Sequence, residues 1–117
     1  MSEKLNKILE LASERRGSAA VVTIRGSVSI SDAERLAEKL ETFAAEKVPI
    51  VVLDLGEMDF ICSAGLGAII SCHVKSRHHH GVIKLVAPRP AVRELFETTR
   101  LTKLFEFHDS VEDALAV

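Results

Sequence analysis

The chain has 117 residues, 47% of them hydrophobic, and a formal net charge of −2 with acidic and basic residues interspersed. One domain, residues 1–117, with a real hydrophobic core is the expectation at this length. The near-neutral, unclustered charge argues against phosphate-driven nucleic-acid binding and against a polybasic membrane anchor. The core must be aliphatic, because there are five Phe and neither Trp nor Tyr.

Cys62 and Cys72 fall in or beside one predicted helix, roughly three turns apart, too far for an intrachain disulfide. A reduced, cytoplasmic setting fits that usage. Met1-Ser2-Glu3-Lys4 leads into no long apolar run, so no signal peptide is expected. No stretch is long enough for membrane insertion.

Residues 3–13 read two ways. Leu5, Ile8, Leu9 and Ala12 have helical spacing, whereas Leu9 and Leu11 flanking Glu10 suit a strand. Glu14-Arg15-Arg16-Gly17-Ser18 reads as a polar turn. Residues 20–24 are β-branched and read as a strand that Gly26 ends. If the first segment is a strand, the two make a hairpin around Arg16-Gly17.

Ser31 or Ser29 can cap the next helix, and Ser31 with Glu34 has capping-box spacing. That helix spans about 31–46, with Leu36, Leu40 and Phe43 on its apolar face. Residues 50–55 form a nearly continuous apolar run, which suits an interior strand covered on both faces. A polar corner, 54–59, follows and reads as a tight turn. Then come small residues, 62–65, and a helix over about 64–78 with Leu66, Ile69, Ile70, His73 and Val74 facing inward. Gly81 is the expected stop.

Residues 82–86 read as a strand and about 90–98 as a helix burying Val92, Leu95 and Phe96. Residues 104–107 read as a last short strand. Asp109 or Ser110 caps a terminal helix over 111–116, with Leu115 facing in. Alternating strands and helices predict an α/β layer structure with mixed or parallel pairing.

The stretch Phe60-Ile61-Cys62-Ser63-Ala64-Gly65-Leu66-Gly67 stands out chemically. It places the Ser63 hydroxyl at a helix start, among small side chains and in the positive field of the helix end. A plain helix cap or packing residue is the structural alternative. Cys62 reads as a small buried residue, with a thiol activated by the helix start as the alternative. Asp54, Glu57 and Asp59 read as a polar turn. His78-His79-His80 reads as an exposed helix end, since consecutive histidines point in different directions and form no closed metal site. Gly65-x-Gly67 lacks the third glycine of a dinucleotide loop. No catalytic constellation is legible, and no cofactor or metal is expected.

Taken together, Leu53-Asp54-Leu55, the Phe60–Gly67 stretch, Val82-Ile83-Lys84-Leu85-Val86-Ala87-Pro88 and Leu101-Thr102-Lys103-Leu104-Phe105 resemble the STAS domain family. Its members include anti-sigma factor antagonists and domains of sulfate transporters. The resemblance covers about residues 21–115. It implies one domain with a mixed four- to five-stranded sheet and about four helices packed mainly on one side. It also implies a non-enzymatic, bacterial regulatory protein whose partner is an anti-sigma factor that is itself a serine protein kinase. The motif serine, two before the glycine, matches Ser63. In such antagonists this serine is phosphorylated; the unphosphorylated form binds the anti-sigma factor and frees the sigma factor. Partner contacts are then expected from Ser27, Ser29, Ser31, Glu57, Asp59, Cys62, Ser63, Ala64, Leu66 and Gly67. The chain departs from the pattern at Cys62, where an acid usually precedes the serine, and at Ser29, which matches another acidic position. A scaffold or subunit role, stressosome-like or beside a lipid transporter, would use the same fold without a kinase cycle. A nucleotide-binding protein or enzyme is the reading from a different class. A homodimer is left open.

Overall fold

The computed structural model describes residues 8–116. The part of the ambiguous first segment at residues 3–7 lies outside the described residues. Five strands form one mixed sheet in the order β1-β2-β3-β4-β5. β1 (Glu10–Arg16) pairs antiparallel with β2 (Ala19–Val28). β3 (Ile50–Ile61), β4 (Val82–Val86) and β5 (Glu106–His108) continue the sheet in parallel from β2. The helices are α1 (Ala33–Ala45), α2 (Ser63–Arg77), α3 (Pro90–Thr98) and α4 (Val111–Leu115).

The first segment is a strand from Glu10, and it runs through Glu14-Arg15-Arg16 rather than turning there. Its hairpin closes at Gly17, whose φ of 63° only glycine adopts without cost. The strand alternative and the hairpin around Arg16-Gly17 therefore hold; the helical alternative arose because Ala12 to Arg16 are exposed on both faces and leave no strand alternation to read. Side chains from α1, α2 and α3 share one cluster with Val22, Ile24, Val51, Leu53, Ile83 and Leu85 of the sheet. Among the described residues, only α4 packs on the other face, where Ala114 meets Val21, Val52 and Val86. Three of the four helices therefore cover one side.

β3 is twice as long as its apolar run suggests. The polar corner at 54–59 is not a turn: the strand passes straight through it to Ile61. Thr23 lies opposite Asp54 but Arg25 opposite Glu57, and Gly26 lies opposite Met58 but Ser27 opposite Phe60. At each irregularity β3 gains one residue on β2, which shifts the pleat. Its buried side chains therefore fall at Leu55, Met58 and Ile61, three apart, instead of alternating. Gly26 does not end β2 but sits inside it at φ 85°, where an added Cβ would lie 2.4 Å from the Ile8 carbonyl oxygen.

Local caps also differ from the sequence pattern. The N-cap of α1 is Asp32 rather than Ser31 or Ser29. Ser29 instead organises the preceding turn: its carbonyl accepts from the Asp32 N–H at 3.0 Å and its hydroxyl donates to Asp32 Oδ2 at 2.8 Å. α1 ends in a Schellman motif, with Lys47 at φ 59° and the Val48 N–H reaching the Phe43 carbonyl at 3.1 Å. Beyond α2 the left-handed residue is His80, at φ 64°, and not Gly81. The expected strand at 104–107 shifts to Glu106–His108, after a 3-10 turn over Leu101–Lys103. Ser110 caps α4, accepting from the Asp113 N–H at 3.0 Å.

His73 and Val74 do not sit in the core as the helical spacing suggested. Val74 is 50% exposed. His73 is half-buried, edge-on to Phe105 at 5.1 Å between ring centroids. Burial first, and the Arg77 charge second, push its pKa below the usual 6.5. The unfolded chain therefore takes up a proton here before the folded one does. Stability present above the unfolded value is lost as pH falls through the lower folded value. Denaturant midpoints across that range should decline with falling pH, and His73→Gln should flatten the decline.

Candidate functional site

The long β3 decides where the candidate site lies. β2 and β3 run parallel, so Val28 and Ile61 are neighbours at the same end of the sheet. The Cys62 N–H donates to the Val28 carbonyl at 2.9 Å, which ties the start of α2 to β2. The Leu66 N–H then donates to the Cys62 carbonyl at 3.0 Å and begins the helix. The N–H groups of Ser63, Ala64 and Gly65 precede that first helical bond and point out of the helix end.

Ser63 is the first residue of α2 and is exposed, rather than being its N-cap. Its neighbours explain the small residues of the motif. Gly65 is buried, and a Cβ there would lie 2.7 Å from Ile61 Cγ1 and 2.9 Å from Val28 Cγ1. Only glycine lets the helix settle this close to the two strand ends. Gly67 is different: it is exposed and a Cβ would meet nothing within 4 Å. Cys62 and Leu66 are 9% and 8% exposed, so their side chains anchor the helix start from below. Ala64 is exposed beside Ser63.

The electrostatics favour an anion on Ser63. The first turn of α2 contains no acidic side chain, while Lys75 and Arg77 occupy its last turn. Glu57 and Asp59, which follow the buried Leu55 and Met58 along β3, are both engaged by arginines. Arg25 Nε donates to Glu57 at 2.8 Å. Arg89, from the loop after β4, pairs with Asp59 and donates from Nε to the Gly56 carbonyl at 2.9 Å. Asp54 accepts from the Gly56 N–H at 3.1 Å.

Ser27 lies opposite Phe60 in the β2–β3 ladder. Ser29 and Ser31 lie just beyond β2, their hydroxyl oxygens 3.0 Å apart. These serines and the start of α2 thus share one end of the sheet. Two residues there were not singled out from sequence. Ile30 is 80% exposed and Phe60 53% exposed, the former two residues beyond Val28 and the latter one before Ile61. Ile30 continues the polar–apolar alternation Ser27-Val28-Ser29-Ile30-Ser31, which suggests a buried strand position and gives no sign of its exposure.

The other candidates carry less chemistry. Burial pushes the Cys72 thiol pKa up, and Cys72 Sγ contacts the Leu40 carbonyl at 3.7 Å. Among the described residues, no group of three His, Cys, Asp or Glu side chains is placed to hold a metal ion. Among them too, no helix is long and apolar enough to cross a membrane.

Comparison with known proteins agrees with this geometry. The STAS domain family model matches residues 10–114. BtrV of Bordetella bronchiseptica, named as a candidate anti-sigma factor antagonist, is 31% identical over 108 residues, 92% of this chain and 93% of that protein. The crystal structure of an anti-sigma factor antagonist from Mycobacterium paratuberculosis superposes with a TM-score of 0.83 at 27% identity, covering 92% of each chain. The Bacillus cell fate determinant SpoIIAA, solved in its phosphorylated form, shares the fold with a TM-score of 0.73 at 17% identity, over 92% of this chain and 96% of that one. From residue 10 to residue 114, with its tight Gly65 helix start and five-stranded mixed sheet, this chain belongs to the STAS domain family.

Proposed function

We propose that the chain is an anti-sigma factor antagonist of the bacterial cytoplasm. It binds an anti-sigma factor of the serine-kinase type, frees the sigma factor, and is switched off when that kinase phosphorylates Ser63. The observation that carries this reading is the exposed hydroxyl of Ser63 at an acid-free helix start. Its chain neighbours, Cys62 and Ala64, are small, and its exposure leaves the Oγ within reach of a kinase. The similarity to proteins named as anti-sigma factor antagonists supports the choice of partner.

The partner surface is the end of the sheet around Val28 and Ile61. Exposed Ile30 and Phe60 supply apolar contact area, and Ser27, Ser29, Ser31, Ala64 and Gly67 supply a small, polar surround. Glu57 and Asp59 lie on the adjoining strand with their arginine partners. Truncating an aromatic anchor at an interface commonly costs tenfold or more in affinity. Phe60→Ala is therefore expected to weaken binding by about tenfold, with little change in thermal stability because the ring is half solvated. Titration calorimetry against the purified serine-kinase anti-sigma factor of the same organism measures this.

Incubating that kinase, Mg-ATP and this chain, then following complex formation by size exclusion, tests the whole reading. The complex should form without ATP turnover and dissolve as phosphate accumulates on Ser63. A complex that persists after full phosphorylation would contradict the switch, and would favour a scaffold role on the same fold.

A further inference from the structure

We infer that the outer edge of β1 is a pairing surface for a second copy of this chain, joining two sheets antiparallel about a two-fold axis at Ser13. The sheet order leaves β1 at an edge, with β2 its partner on the inner side. Among the described residues, flanking contacts touch its faces and none pairs with its outer edge. From one side α1 sends Lys39 to Ser13 and pairs Glu46 with Arg15. From the other, Glu112 of α4 pairs with Arg16 at 3.3 Å.

The backbone of that edge has a defined phase. Arg16 and Ala19 close a two-residue hairpin. In such a hairpin the closing pair exchanges both hydrogen bonds, so alternate residues back along β1 bond to β2. The intervening Leu11, Ser13 and Arg15 then aim their N–H and C=O groups outward. An edge of this kind is a template for another strand.

Charge selects the register and the occupant. A two-fold axis at Ser13 sets Glu10 opposite Arg16 of the second copy, twice, with Leu11 opposite Arg15 and Ala12 opposite Glu14. All seven residues of β1 pair in that register. Moving the axis to Ala12 sets Glu10 against Glu14, and moving it to Glu14 sets that residue against itself. Like charges directly opposite are destabilising, whereas opposite charges there are favourable. The sequence Glu10-Leu11-Ala12-Ser13-Glu14-Arg15-Arg16 is thus complementary to its own reverse in one register and repulsive in the two adjacent ones. Charged edge strands commonly oppose pairing; here they oppose every near register but one. Ser63 follows β3, two strands in from the edge, so both copies keep the helix start of α2 uncovered.

Sedimentation equilibrium of the full chain over a concentration series tests this. The wild type should reach the mass of two chains. Glu10→Arg and Arg16→Glu, each alone, place like charges opposite at both ends of the pairing and should raise the dissociation constant by about tenfold. The double variant Glu10→Arg/Arg16→Glu restores complementarity and should return the constant to within about threefold of wild type. Circular dichroism of each variant checks that the fold is kept, and Ser13→Lys offers a second block at the axis if one of them unfolds. A single-chain mass at every concentration overturns the inference. So does a dimer indifferent to both single substitutions, or a double variant as weak as the singles.

Discussion

Ser63→Asp is expected to lower affinity for a serine-kinase anti-sigma factor by about tenfold to a hundredfold while leaving the melting temperature unchanged or slightly raised. The two effects have opposite signs for one reason. A negative charge at the first position of α2 sits in the field of the helix N-terminus, and no acid in that turn already occupies it. Within the folded chain the charge is therefore favourable, by roughly 0.3–1 kcal/mol. At an interface the same charge must be stripped of water or face the partner's own acids, which costs more. A phosphate carries roughly twice the charge of the aspartate and should act more strongly in the same direction. Ser63→Ala, by contrast, should keep the partner bound and remain bound in the presence of ATP. Calorimetric titration and thermal melts on the three proteins separate a binding effect from a folding one. A Ser63→Asp variant that binds as wild type does would remove the basis for the switch.

The second large effect concerns the glycines two and four positions beyond. Gly65→Ala should destabilise the fold by about 1–3 kcal/mol, and Gly67→Ala should stabilise it by up to about 1 kcal/mol. Both substitutions remove a glycine from a helical position and so gain helix propensity, less at Gly65 because it lies in the first turn. They differ in what the new methyl meets. At Gly65 it would press on Ile61 and Val28, β-branched side chains that are almost fully buried and have few rotamers to retreat into. At Gly67 it would meet open space. Chemical denaturation gives the two signs directly. If both variants were stabilised, the close approach of α2 to the strand ends would not be what the motif glycine provides. Gly67→Ala has a further use: a loss of partner affinity in this more stable variant would mean that a partner backbone comes close to that turn.

Much of this was legible from residues alone. The helices over Ala33–Ala45 and Pro90–Thr98 announce themselves by apolar spacing and by Pro49 and Pro90 at their margins, whereas Ser63–Arg77 is marked by its small-residue start and by Gly81 beyond its end. Strand β4 is a short β-branched run and needs no context. The misreadings of β2 and β3 share a physical origin in the sheet. A period of two is the sequence signature of a strand, and bulges destroy it: Leu55, Met58 and Ile61 fall three apart. The polar residues between them looked like a corner because their partners, Arg25 and Arg89, are remote in sequence. Gly26 looked like a terminator because nothing local reveals that Ile8 crosses it at 2.4 Å from the position of a Cβ. β1 has a charged composition because an edge strand exposes both faces. The start of α2 was found within one residue, but the exposed Ile30 and Phe60 beside it were not. Their exposure follows from the tertiary packing of three segments, and no spacing rule encodes it.

The most direct test of the switch is site-resolved mass spectrometry of the chain after incubation with its serine-kinase anti-sigma factor and Mg-ATP. One phosphate, on Ser63, and none on a Ser63→Ala variant is the predicted result. A phosphate on any other residue, or an unmodified chain in the presence of a kinase active on ATP, would contradict the account.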